Sequence, residues 1–348
     1  MIITYFRSSS YNRWDFCPTC YFAEYALGIT GPANKKADKG TITHKILELL
    51  ACVKKAYQAR PTQKTIDSNI GIGRIDIQRV MENDTAYIRQ LAHKIFVRFS
   101  KKYSHHDWTE RDEHDCYQWA WKALQMNNGT FDPRKSYIVD AEPYFDITLE
   151  HPAFEYNFTL KGQALQGQLH IKGTIDLIRK IDEETYEIVD WKTGRRFNWN
   201  TGEEKTAEKL QTDPQLMLYH YAAHKLYPQA KTILVTINYI NDGGAFTVSF
   251  DTNAAMQQIQ KLLYQRFRDI KRCAIPAKYA SWKCKKLCHL GQTTFENTYV
   301  PPRFTQYGAA MTKCQQIHHD LKYHGIDYVT EKYMSPDYTI GFYQDPGL

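Results

Sequence analysis

A chain of 348 residues with 43% hydrophobic content is long enough to bury one elaborated domain or two small ones. No apolar run reaches membrane-spanning length, and Met1-Ile2-Ile3-Thr4-Tyr5-Phe6-Arg7-Ser8 lacks the basic and long apolar stretches of a signal peptide, so a cytoplasmic protein is expected, in the host cytoplasm if viral. A formal net charge of +7 suits a polyanionic partner without requiring one, and the 25 tyrosines read as core and surface residues rather than base-stacking platforms.

Ser8-Ser9-Ser10 leads into residues 11–27, where Trp14, Cys17 and Tyr21 recur at helical spacing, which predicts a helix interrupted near Pro18. A flexible loop from Gly31 to Gly40 then precedes a second helix, on which His44 and Glu48 stand one turn apart and His44 is placed for display into a cleft. Residues 53–130 hold polar helical segments, including 86–103 and 115–126, and read as a helical insertion. From Tyr137 the pattern becomes strand-like, through 137–139 and 144–147, to a hairpin formed by Gly173-Thr174-Ile175-Asp176-Leu177-Ile178 and Glu187-Ile188-Val189-Asp190-Trp191-Lys192-Thr193-Gly194. Asp213-Pro214 starts a helix to about Leu226, with Gln215, Tyr219 and Ala222 on one face. Residues 232–239 and 245–250 bracket Asn241-Asp242-Gly243-Gly244 as a second hairpin, and a helix over 253–272 ends the core. Strands on either side of single helices imply an α/β fold with a mixed sheet flanked by helices. The expected divisions are 1–52 (N-terminal helices of the core), 53–135 (helical insertion), 136–290 (core and late cysteine pair) and 291–348 (an extension of unknown role).

The first hairpin concentrates charge. Strand alternation places Tyr186, Ile188, Asp190 and Lys192 on one face, and a turn centred near Glu183 sets Asp176 opposite Asp190, with Cβ atoms about 5 Å apart. A solvated hairpin face would explain the charges alone. Both carboxylates, however, are embedded in Ile, Leu, Val and Trp, where an uncompensated charge is costly. A divalent cation and the nearby lysine would compensate them.

Five motifs in one order give the chain its resemblance. Gly40 to His44 reads as G-x3-H, Ala141-Glu142-Pro143-Tyr144-Phe145 as an E-led strand, and Gly173 to Asp176 as G-x-x-D; Asp190-Trp191-Lys192-Thr193-Gly194 is D-x-K-T-G, and Gln215 to Tyr219 is Q-x3-Y. Across roughly residues 10–290 this resembles the RecB-type exonuclease branch of the PD-(D/E)xK nuclease superfamily, related to CRISPR adaptation nucleases and AddB-like iron–sulfur nucleases. The resemblance implies a restriction-endonuclease-like core that hydrolyses phosphodiester bonds in DNA with Mg2+ or Mn2+. It assigns metal binding to His44, Asp176, Asp190 and the Trp191 carbonyl, charge stabilisation or water orientation to Lys192, a supporting role near the metal to Glu142, and positioning of Lys192 or the DNA backbone to Gln215 and Tyr219.

Eight cysteines raise a second question. Cys17 and Cys20 lie early, Cys284 and Cys288 late, and the resemblance extends to relatives in which one early and three late cysteines hold a four-iron cluster. The late spacing here is C-x3-C with no third cysteine at the usual place, so a 4Fe-4S cluster, Zn2+ and unliganded thiols all stay open. Cys52, Cys116, Cys273 and Cys314 read as scattered small hydrophobes. The expected activity is that of a metal-dependent exonuclease on DNA with free ends, in recombination, repair or end processing. The alternatives are a CRISPR-type adaptation nuclease and a non-cleaving DNA-binding subunit, the latter disfavoured by the intact Asp176, Asp190 and Lys192.

Overall fold

The computed structural model describes residues 1–31, 33–160, 162–198, 201–278, 282–286, 288–295 and 311–335. In chain order the elements are β1 (Tyr5–Arg7), α1 (Ser8–Phe16), α2 (Pro18–Tyr25), α3 (Lys35–Ala59), β2 (Thr65–Asp67), β3 (Arg74–Asp76), α4 (Ile77–Met81), α5 (Thr85–Lys102) and α6 (Glu110–Gly129). They continue with β4 (Tyr137–Ala141), β5 (Tyr144–Thr148), β6 (Glu155–Leu160), β7 (Gln163–Gln168), β8 (His170–Thr174), β9 (Leu177–Lys180), β10 (Thr185–Lys192), β11 (Phe197–Asn198) and β12 (Glu203–Glu204). Last come α7 (Ala207–Leu210), α8 (Pro214–Leu226), β13 (Thr232–Tyr239), β14 (Gly244–Ser249), α9 (Thr252–Arg272), α10 (Trp282–Lys286) and α11 (Lys313–Tyr333).

Two compact units divide the chain. The first, residues 33–145 and 173–257, contains among its described residues a five-stranded sheet ordered β14-β13-β10-β9-β4. β10 and β13 run parallel from Thr185↔Thr232 to Lys192↔Tyr239, while the other pairs are antiparallel, so the sheet is mixed. Parallel neighbours need a crossover, and α8 supplies it, packing on β10 and β13. Asp213 caps α8 by accepting from the Gln215 N–H, ahead of Pro214 in the first turn. Leu47, Leu50, Ile75, Ile88 and Ala123 from the helical side join Ile138, Leu177, Val189 and Trp191 of the sheet in one core. Arg179 and Glu187, both buried, pair across β9 and β10 at 2.6 Å, so neither charge is left uncompensated.

The second unit combines residues 1–32, 146–172 and 258–347. Here β1 runs parallel to β8 from Tyr5↔His170 to Arg7↔Lys172, and β6 and β7 form a hairpin. Early and late segments are tied together by backbone polar groups. The Met1 ammonium donates to the Cys273 carbonyl at 2.8 Å, the Thr19 hydroxyl to the Ala277 carbonyl at 2.9 Å and the Ser335 N–H to the Leu27 carbonyl at 2.8 Å.

Several expectations need correction. The run 173–178 is not one strand: β8 ends at Thr174, Asp176 occupies a bend, and only from Leu177 does β9 pair with β10. A helix already begins at Lys35 inside the stretch read as a loop, because Asn34 accepts from the Ala37 N–H at 3.0 Å and caps it. Glu142 does not lead a strand; it stands between β4 and β5 with φ +49. The helix expected over 312–323 runs on to Tyr333 with a break at Gly325 (φ +84), while 296–310 and 336–348 of the extension lie outside the described residues.

A Cβ at Gly173 would stand 2.6 Å from the ring of Phe145, a residue only 1% exposed. Gly173→Ala is therefore expected to destabilise the protein by about 1–3 kcal/mol through overpacking. A lower urea midpoint at constant slope would report it, and an unchanged midpoint would show that Phe145 yields without cost.

Candidate active site

Helix α3 presents His44, and Gly40 determines how closely it can do so. A Cβ at Gly40 would stand 2.6 Å from Thr193 Oγ1, so the bare backbone lets α3 settle against the residue that follows β10. The glycine of G-x3-H and the threonine of D-x-K-T-G are thus in contact.

The β9–β10 ladder ends at Leu177↔Val189, which makes Asp176 and Asp190 the next residues on the two chains, in the register the turn implied. Asp176 Oδ2 accepts from the Trp191 N–H at 2.8 Å and lies 3.5 Å from His44 Nδ1. Asp190, 1% exposed, has its two carboxylate oxygens 2.7 and 2.6 Å from Lys192 Nζ. Burial raises the Asp190 carboxyl above the ordinary carboxylate range, and Lys192 only partly offsets it. Burial also works against the Lys192 charge, yet Asp190, Tyr219 and Asp176 outweigh it and hold the ammonium above the usual lysine range. Burial opposes ionisation of Asp176 too, but His44, Lys192 and the Trp191 N–H bring its carboxyl below the ordinary value.

Beside this group sits a second one. Lys45 Nζ lies 2.6 Å from Glu142 Oε2 and 2.8 Å from Glu48 Oε2, and Asn69 donates to Glu48 Oε1 at 2.5 Å. Burial and the Glu48 charge push the Glu142 carboxyl up to about 7, against the pull of Lys45. Glu142 meets the first group through its backbone, whose N–H donates to the Asp176 carbonyl at 3.0 Å. Its carboxylate is engaged by Lys45, a residue that sequence reasoning passed over although it adjoins His44. Gln215 Nε2 donates to the Tyr219 hydroxyl at 3.2 Å, and Tyr219, 6% exposed, is close enough to Lys192 to raise its affinity for a proton.

One buried and one partly buried carboxylate, an imidazole and a strand-end carbonyl form a donor set that suits a hard divalent cation, with the imidazole favouring Mn2+ over Mg2+. Asp190 Oδ2 is buried and has no hydrogen bond of good geometry, which leaves it a lone pair for such an ion. Lys192 now neutralises Asp190, so a cation binding there would share that carboxylate with the ammonium.

Cys17, Cys20, Cys284, Cys288 and Cys314 lie in the other unit. Cys20 Sγ and Cys288 Sγ are 3.2 Å apart, and Cys17 hydrogen-bonds to Cys20. The Cys20 contact pulls the Cys288 thiol down to about 6, assisted against burial by the Gly291 and Leu290 N–H groups and by Arg13. Cys314, first read as scattered, is 3% exposed at the start of α11 and feels the charges of Cys17, Cys288 and Cys284, so it belongs to the same neighbourhood. No short-range motif marks it, since it follows Cys288 only after a long insertion. None of the eight cysteines forms a disulfide.

Comparison with known proteins follows the same lines. The family model described as PD-(D/E)XK nuclease superfamily matches residues 8–291. No curated protein matches the sequence. Among solved structures, one described as the crystal structure of SSO0001 is similar at 11% identity over 61% of this chain and 77% of its own, with a TM-score of 0.23, too low to bear on the fold. Among the described residues no helix is long and apolar enough to cross a membrane.

Proposed function

Because the chain belongs to the PD-(D/E)XK nuclease superfamily, with its restriction-endonuclease-like mixed α/β fold, we propose that it is a divalent-metal-dependent deoxyribonuclease of the RecB-type branch, acting as an exonuclease on DNA ends in recombination, repair or end processing. The observation that carries this reading is the convergence of His44, Asp176, Asp190 and Lys192 at the end of β10.

His44, Asp176, Asp190 and the Trp191 carbonyl would hold Mg2+ or Mn2+. When bound, the ion would polarise the scissile phosphate, activate water and neutralise the leaving oxygen. Lys192 donates to the developing negative charge on phosphorus-bound oxygen or orients the attacking water, and the neighbouring Asp190, Tyr219 and Asp176 keep it protonated for that task against the cost of burial. Asp176 is locked by the Trp191 N–H and steadies His44. Gln215 and Tyr219 position Lys192 or the DNA backbone, and Glu142 with Lys45 and Glu48 braces the segment that holds Asp176. The formal charge of +7 favours a polyanionic substrate.

Cys17, Cys20, Cys284 and Cys288 are assigned to a 4Fe-4S cluster, with Zn2+ as the alternative. Ligands of one tetrahedral zinc ion stand within about 4 Å of each other. Cys20 and Cys288 already meet at 3.2 Å and Cys17 hydrogen-bonds to Cys20, which supports a shared thiolate centre without selecting the cluster over zinc.

End dependence is the second part of the reading. Helices α5 and α6 of the insertion pack on α3, the helix that carries His44, an arrangement that favours a threaded strand over an intact duplex interior. With Mg2+ or Mn2+, end-labelled linear DNA should be degraded while covalently closed circular duplex survives. Rapid nicking of supercoiled plasmid would overturn end dependence, and binding without cleavage under either metal would favour the non-cleaving subunit.

A further inference from the structure

Away from Asp176 and Asp190, two adjacent histidines in the turn between α5 and α6 aim the same ring nitrogen at one buried carboxylate oxygen. His106 Nε2 lies 2.8 Å and His105 Nε2 3.7 Å from Asp38 Oδ2, and the three donor atoms all fall within 4.8 Å of one another. We propose that Asp38, His105 and His106 form a second metal site, for a borderline transition ion of the zinc class, which pins the insertion to the first turns of α3.

Neighbouring side chains in a turn ordinarily diverge. Here the two imidazole rings stand 3.9 Å apart between centroids and converge, with His106 held edge-on by Trp108 at 5.5 Å, and the Trp108 indole anchored by its N–H to the Tyr103 carbonyl at 2.9 Å. A hydrogen bond to Asp38 accounts for His106. It does not account for His105, whose side chain is 42% exposed and free to face water, yet turns inward to 3.7 Å, beyond hydrogen-bond range.

Charge points the same way. Asp38 is 4% exposed, and among the described residues its ion-pair partners are these two imidazoles alone; the nearby Lys35 and Lys39 are committed to Asp112, and Lys39 also to Asp115. A buried carboxylate needs a compensating positive charge. A divalent ion between the three atoms would supply it and accept both imidazole lone pairs. Two nitrogens and one oxygen on a tetrahedral zinc ion stand about 3.3 Å apart, which the 2.8 and 3.7 Å separations straddle. The exposed side of His105 leaves the fourth position to water.

The full chain carrying Asp190→Ala, which removes a candidate ligand of the catalytic ion, is compared with the same chain also carrying His105→Ala, a half-exposed position whose loss the fold should tolerate. Zinc held by the cysteines is common to both and cancels. Calorimetric titration with ZnCl2 should show one more high-affinity site in the first protein, weakened at least about a hundredfold in the second, and zinc should raise the melting temperature of the first by more than that of the second. Asp38→Asn in place of His105→Ala keeps the side-chain shape and should give the same loss. Equal stoichiometry, affinity and thermal shift in all these proteins would overturn the site and leave His106 and Asp38 as a plain hydrogen-bonded pair.

Discussion

Lys192→Ala should lower the rate of DNA cleavage at least about a hundredfold, equivalent to about 2.7 kcal/mol of transition-state stabilisation, without unfolding the protein. The ammonium is fixed by two contacts to Asp190 and lies near Tyr219 and Asp176, so it needs no reorganisation when negative charge develops beside it. Removing it also leaves Asp190 buried without its cation, and a shift in metal affinity should accompany the loss of rate. Initial rates on end-labelled DNA at saturating metal, with circular dichroism as the control for folding, separate these effects. Asp190→Ala should be at least as damaging, and full activity in EDTA would sink the metal-dependent mechanism altogether.

Cys288→Ser should cost the protein its bound metal and much of its thermal stability together. Cys20 and Cys288, 268 residues apart in sequence, meet at 3.2 Å, so a centre that joins them closes a very long loop. Chain entropy values such a closure at about 5 kcal/mol. Cys20→Ser should then match Cys288→Ser in lost iron and lost melting temperature, and anaerobically purified protein should be brown if the centre is an iron–sulfur cluster. Colourless protein with one zinc would keep the clasp but reject the cluster. Metal-free protein with titratable thiols and an unchanged melting temperature would remove both.

Local signals were readable where they were strong. The Asp213 cap with Pro214 marked α8, the β-branched run of residues 232–239 marked β13, and alternation around Asp190 marked β10. The break before Asp176 was hidden because residues 173–178 are small or apolar on both sides of it, and β8 and β9 are both buried strands that differ only in which partner they join. Glu142 lies between two strands rather than leading one, since a left-handed glutamate has no residue signature. Lys45, Cys314 and the pairing of Asp38 with His105 and His106 depend on contacts between residues far apart in sequence, which periodicity does not encode.

The contact between Gly40 and Thr193 acts as a spacer of fixed thickness. One helical turn separates Gly40 from His44, so whatever stands at position 40 determines how far the imidazole is held from Asp176, now 3.5 Å away. Reach across the centre therefore depends on main chain seated against the Thr193 hydroxyl. A methyl group at position 40 would force either the Thr193 hydroxyl to turn away or the helix to move outward, and the second response stretches the ligand set without altering one of its members.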